Sequence, residues 1–474
     1  MRLLGCFLVE VRNESKHRYN SPIASRKISS MADSSLNYSY RPHVIVAGVL
    51  LLPYLIPPFA QTALSHVFSL LSHGVAASLA LLYFTFVRNC WVPRLKSLPL
   101  SFFVLLFALT LVSIILDRDR AIAADFTELA KPFSLALVFS LGYTLSWNQD
   151  LLRNYIIRPL VILLALSASL VIIESVPMSW ADAVSDVYVR SRGSLQNKAI
   201  GPFSTPYFAG SVYVYMALSF LSLYITTKKK SFLALFLLGM LLAILTQSRT
   251  VFLAILVSIP VWIGLYLAFH RAIKRQRLNL RKFAFAIVGV FAFSTFALMI
   301  YLFLKDNLGY LILGVNTYFL NLPEHLAKDS GSVGVRMSQI RFVIENNPYV
   351  LIGAGIGKGY AGSLESFYAL YYYRYGILGM AIYSLLWISG LRFSWRSMRY
   401  AQMEGKDYWS GFFLGLVAFL MVLPILSLSS VITDQPILYP LFYTLLGIVY
   451  SYYFKVVRFG HKVLLSVEKP VASN

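Results

Sequence analysis

Charge is scarce in this 474-residue chain: 13% of residues are Asp, Glu, Lys or Arg, while 58% are hydrophobic. An ordinary soluble domain carries about 25% charged residues. That shortage excludes a soluble globular enzyme, because 34 Phe and 31 Tyr present more apolar surface than one water-facing fold can hide. Cysteine is nearly absent; Cys6 and Cys90 exclude a disulfide framework and a thiolate metal cluster. No histidines stand at HxxxH or HxH spacing and no Ser-His-Asp order is evident, so no metal is expected. Acidic residues number 20 against 42 basic ones, for a net charge of +22. In a soluble chain that balance would point to nucleic acid. Here the basic residues fall in short clusters between apolar runs, as the positive-inside rule requires of cytoplasmic loops, and nucleic acid is not expected as a partner.

What the chain has is apolar runs of spanning length, about twelve of them. Their cores are Val44 to Ala60, His66 to Val87, Leu98 to Leu116, Phe133 to Leu145, Ile156 to Ile173, Pro206 to Ile225, Phe232 to Leu245, Val251 to Phe269, Phe283 to Leu304, Ser366 to Leu391, Tyr408 to Ser429 and Pro436 to Phe454. Every second connection is basic, from Arg26, Lys27 and Arg41 through Lys228 to Lys230 and His270 to Lys282 to Lys455, Arg458 and Lys462. An even count then places both termini in the cytoplasm. The expected fold is an all-α polytopic membrane bundle. Residues 1–42 form a disordered cytoplasmic tail without a convincing signal-peptide cleavage site, in which Met31 offers a second start. Residues 43–455 form the membrane domain, and 456–474 a basic cytoplasmic tail.

Two connections on the far side stand out by length, 174–205 and 305–365, and long loops in compact folds carry function. The second holds an amphipathic stretch, Val335 to Ile344, and the run Gly353-Ala-Gly355-Ile-Gly357-Lys-Gly359. It is not a P-loop, since Lys358 is followed by Gly359 and no strand precedes it. A tight turn returning the chain to the membrane fits better.

Ionisable groups near membrane depth are costly, so each is a candidate for function. Arg249 stands on the less basic side, where it is either an interfacial anchor or an anion ligand. Arg336 and Arg341, near a membrane mouth, present planar forks suited to phosphate or pyrophosphate. Glu365 opens the tenth span, where it either complements the helix dipole or serves as a general base. The neighbouring Tyr371, Tyr372, Tyr373 and Tyr375 suit an aromatic belt. Asp125, Glu128 and Lys131 recur at helical spacing near the outer end of the fourth span and form a candidate intramembrane polar cluster, with mutual pairing as the plain explanation. His325, in the outer loop, is read as solvent-exposed.

The order of these features resembles the O-antigen ligase and O-antigen polymerase superfamily of bacterial envelopes. The similarity rests on Gly201-Pro-Phe203 before the sixth span, Thr246-Gln-Ser-Arg249 at the eighth, and Arg336 to Gly357, reading RMSQIRFVIENNPYVLIGAGIG. Ligases then have a His followed by Asn, Ser or Gln, nine residues, and GxxG; this chain has Glu365, Ser366, nine residues and Gly376-Ile-Leu-Gly379. Glutamate in place of histidine favours the polymerase side. The resemblance implies a glycan donor on undecaprenyl pyrophosphate in the outer leaflet of the cytoplasmic membrane, inverted at its anomeric carbon by an attacking sugar hydroxyl. Fitted to that chemistry, Arg249, Arg336 and Arg341 neutralise the leaving pyrophosphate and Glu365 takes the proton. Neither nucleotide nor metal cofactor is needed, because the energy lies in the pyrophosphate link. Membrane lipids, a chain-length regulator and a flippase are the expected partners. A ligase with an unusual base, a transporter of lipid-linked oligosaccharide, and a structural envelope component stay open as alternatives.

Overall fold

The computed structural model describes residues 44–57, 65–86, 98–117, 119, 122–145, 149–175, 184, 187, 198–203, 205–274, 332–357, 364–435 and 438–457. The N-terminal tail, the ninth apolar run Phe283 to Leu304, His325 and most of both long connections lie outside these residues. The described residues are helical and contain no strand. The principal helices are α1 (Val44–Leu55), α2 (Ser65–Phe86), α3 (Leu98–Leu116), α4 (Ala130–Thr144), α5 (Arg158–Ser175), α6 (Pro206–Thr227), α7 (Lys230–Leu245), α8 (Arg249–Lys274), α9 (Ser332–Glu345), α10 (Phe367–Met403), α11 (Asp407–Leu426) and α12 (Tyr439–Tyr452). Among them five stretches are long and apolar enough to cross a membrane: Asp150–Glu174, Pro206–Thr227, Arg249–Ala268, Phe367–Met403 and Asp407–Leu426. Shorter apolar helices accompany them.

Helix pairs approach closely where a side chain is missing, the usual device when lipid removes the hydrophobic drive between helices. Gly411 and Gly415 of α11 form a GxxxG step; a Cβ at Gly415 would lie 2.5 Å from the Ser219 Cα of antiparallel α6, and one at Gly411 3.0 Å from the Leu223 Cα. α4 and α12 run parallel, with backbone of each packed on a glycine of the other, Gly142 against Thr444 and Gly447 against Phe139. Every residue of α12 is buried, which makes it the centre of the bundle.

The ends of the bundle differ in charge. At one end the Lys455 Nζ donates to the Tyr143 carbonyl at 2.8 Å, the Arg396 guanidinium donates to the Tyr453 hydroxyl at 2.9 Å, and Lys229 lies over the Tyr408 ring. At the other end lie the described residues that precede α4, α6, α8, α10 and α12. α9 belongs to this end, and its exposed residues include Val335, Met337, Ile340 and Ile344. An amphipathic helix with apolar residues outward suits the membrane interface better than open water.

α10 departs most from the expected single span over Ser366 to Leu391. Tyr371 and Tyr383 are twelve residues apart, about 18 Å on a straight helix, yet their hydroxyls bond at 2.7 Å and the Phe367 and Tyr383 rings stand 5.5 Å apart. The chain folds back at Gly376, whose φ of 60° and ψ of −157° are non-helical and lie in a region open essentially to glycine alone. α10 is therefore two limbs in a V, a short one ending at Tyr375 and a long one from Ile377 to Met403. The long limb continues past Leu391 because Phe393, Ser394, Ser397, Met398 and Ala401 keep a buried face at helical spacing.

Candidate functional site

Breaking a helix frees backbone donors and acceptors that cannot be left unpaired in a membrane. The run after α9 supplies their partners. The carbonyls ending the short limb are taken by the Asn347 side chain, which donates to the Tyr372 oxygen at 3.0 Å, by the Ala354 N–H, which donates to Tyr373 at 2.6 Å, and by the Ser113 hydroxyl, which donates to Arg374 at 2.6 Å. The amides opening the long limb, Ile377 and Leu378, donate to the Val350 and Leu351 carbonyls, both at 3.0 Å. Gly353 and Gly355 have positive φ, and a Cβ at Gly355 would lie 2.5 Å from the Asp117 Cβ. The described part of the glycine run, Gly353 to Gly357, is thus a turn, as its sequence implies, and one wrapped around the apex of the V.

Beside that apex lie four charged groups. The Lys131 Nζ stands 2.7 Å from Glu128 and 3.1 Å from Asp434, and the Arg374 guanidinium stands 3.6 Å from Glu128. The Arg374 Nε also donates to the Ile356 carbonyl at 3.1 Å. Glu128, Arg374 and Asp434 are buried. The two cations and two anions compensate one another, as buried charges must. Of the polar trio read from the sequence, Glu128 and Lys131 meet. Asp125 turns instead to its own loop, where its carboxylate accepts from the Ile122 N–H at 2.8 Å.

Glu365 lies at the foot of the short limb. Its carboxylate is 61% exposed and meets the Arg336 guanidinium of α9, itself 17% exposed, at 2.5 Å. Arg336 also donates to the Ser429 carbonyl at 3.2 Å and to the Gln339 side chain at 3.2 Å. The limb's first amide, Phe367 N–H, donates to the Ser427 carbonyl at 3.1 Å. The segment after α11 thus holds both the first amide of the short limb, two residues past Glu365, and Glu365's ionic partner. Arg341, about 140° further around α9, is exposed.

The third group is Arg249, first residue of α8. The half-buried Lys198 is held nearby, because the Ala199 N–H donates to the Leu245 carbonyl at 2.9 Å. The Gly201 N–H donates to the Glu174 carboxylate at 3.1 Å. The Lys198 ammonium sits below its usual pKa, first through burial and then through the like charge of Arg249. Between α7 and α8 the chain turns through Gln247, a buried residue with φ of 53°.

Of the three arginines expected around a pyrophosphate and the glutamate expected as base, Arg336 pairs with Glu365, Arg249 has Lys198 beside it, and Arg341 stands exposed on α9. Sequence reading missed Lys198, Arg374 as an ionic partner, and Asp434. Lys198 precedes the Gly201-Pro-Phe203 motif by three residues, a signal within reach. Asp434 is an isolated acid with no local pattern. Among the described residues no three His, Cys, Asp or Glu side chains gather as metal ligands. No family model matches the chain, and no curated protein matches it.

Proposed function

We propose that this chain is a membrane glycan polymerase that joins oligosaccharide repeat units carried on undecaprenyl pyrophosphate at the outer face of the bacterial cytoplasmic membrane. On this proposal the bundle has about twelve spans and both termini in the cytoplasm. The end carrying Lys229, Arg396 and Lys455 then faces inward, in keeping with the positive-inside rule, and the apex of the V faces outward. The observation that carries the proposal is an exposed carboxylate, Glu365, at the same end of the bundle as the cationic pair Lys198 and Arg249.

The chemistry follows from charge. The acceptor hydroxyl gives its proton to Glu365 as its oxygen bonds to the donor's anomeric carbon from the face opposite the phosphate. The bond from that carbon to the phosphate oxygen breaks, and its electron pair leaves with the polyprenyl pyrophosphate. Arg249 and Lys198 offset the charge that develops there, and the exposed Arg341 contributes to the same field. The exposed Val335, Met337, Ile340 and Ile344 of α9 suit a substrate arriving through lipid. A flippase would supply the donor and a chain-length regulator would set its extent.

The test displays surface and lipid-linked glycan on a gel for Arg249→Ala, Arg341→Ala and Glu365→Gln at matched membrane levels. Single repeat units reaching the surface are the expected result. Full-length polymer accumulating on the carrier would indicate a ligase, and wild-type patterns throughout would indicate a transporter.

A further inference from the structure

We propose that Arg336 is a positioning residue that aims the Glu365 carboxylate, and that it is not a ligand for the donor's phosphates; this rests on the polymerase reading. The guanidinium is committed to three acceptors on three segments: Glu365 Oε2 at the foot of the V, the Ser429 carbonyl after α11, and Gln339 one turn along its own helix. Gln339 is buried, so the third contact fixes the arginine's own geometry. The exposures run opposite to those of an anion receptor, for the cation is the enclosed member at 17% and the carboxylate the open one at 61%. A phosphate arriving here would meet the carboxylate first and be repelled.

The pairing also distinguishes the two carboxylate oxygens. Oε2 is held by Arg336, whereas Oε1 accepts no hydrogen bond among the described residues and is the atom left to take a proton from an acceptor hydroxyl. With Phe367 N–H bound to Ser427 and Arg336 bound to Ser429, one segment holds both the chain two residues beyond Glu365 and the guanidinium that pairs with its carboxylate. Positioning of this kind lowers the barrier without improving substrate affinity.

The experiment uses the full chain in lipid nanodiscs with a synthetic polyprenyl-pyrophosphate-linked repeat unit, and reads kcat, KM for the donor and inhibition by inorganic pyrophosphate. Arg336→Ala is expected to lower kcat roughly 100-fold while KM and the inhibition constant stay within about twofold of wild type. Arg336→Lys, which keeps the charge and is the safer variant for folding, is expected to recover about tenfold of that loss. Arg249→Ala is expected to raise the inhibition constant. A rise of about tenfold in both KM and the inhibition constant for either Arg336 variant, with kcat preserved, would make Arg336 a phosphate ligand and overturn the proposal. Wild-type protein forming no product, or Glu365→Gln turning over normally, would overturn the polymerase or base assignment beneath it and this inference with it. The first of these leaves the Arg336 variants no activity to compare, and the second leaves no base for Arg336 to aim, so either is told apart from a failure of the positioning role alone.

Discussion

The Arg374 guanidinium stands 3.6 Å from the Glu128 carboxylate on the last turn before the chain reverses at Gly376, so the apex of the V is held by charge as well as by backbone. Removing one member of a buried ionic set leaves its partner uncompensated, at a cost of about 3–5 kcal/mol. Glu128→Gln is expected to lower stability by about that amount in thermal unfolding of the purified protein. Combining Glu128→Leu with Arg374→Met removes both charges and is expected to cost less than the sum of the single changes. Additive losses would show that the two do not act as a pair.

Gly376→Ala forces a side chain into backbone geometry nearly closed to it, at about 1–3 kcal/mol of strain, and onto the backbone of Leu351. The expected outcome is a protein that fails to reach its folded form. Gly405 has a similar φ of 66° but nothing within 4 Å, so Gly405→Ala is expected to cost only about 1–2 kcal/mol. Equal recovery of the two variants from membranes would contradict the V.

Hydropathy makes much of the bundle legible. The run Leu98 to Leu116 is helix α3 with identical bounds, and α6 and α7 begin within two residues of their expected positions, because an unbroken apolar stretch has no lower-energy alternative in lipid. The amphipathic stretch Val335 to Ile344 lies within α9. The V is hidden for the same reason: apolar and aromatic residues continue on both sides of Gly376, and hydropathy records burial without direction. Arg392, Arg396 and Arg399 end the apolar run but not the helix, since arginine is a good helix former. Among site residues, Glu128 and Lys131 betray their pairing through i, i+3 spacing. Asp434 meets Lys131 across 303 residues of chain, a contact that no local pattern encodes.

The GxxxG step of α11 yields a sharper packing test. Gly415→Leu must push α11 away from α6, where the Ser219 Cα leaves no room. The account expects loss of folded protein, whereas Leu428→Ala, at an exposed position, should be recovered at wild-type levels.

Lys198 should impart a pH dependence to anion binding. Its pKa in the folded protein lies below that of a free lysine, through burial first and Arg249 second. The charged form is therefore disfavoured, and folding stability gains as pH rises from that lowered value toward the unfolded value of 10.5. Inorganic pyrophosphate needs the protonated ammonium, so its affinity should begin to fall below pH 10.5. Arg249→Gln should move that fall to higher pH, and Lys198→Gln should remove it. Calorimetric titration across the alkaline range checks all three, and an identical fall in Lys198→Gln would assign it to another group.

The central claim is tested most directly by giving purified wild-type protein and Glu365→Gln a polyprenyl-pyrophosphate-linked repeat unit and separating the lipid-linked products by length. The account predicts a ladder of multiple repeats from wild type and single units from Glu365→Gln, with pyrophosphate binding still measurable as thermal protection of the variant. A ladder of the same length and rate from Glu365→Gln would contradict it.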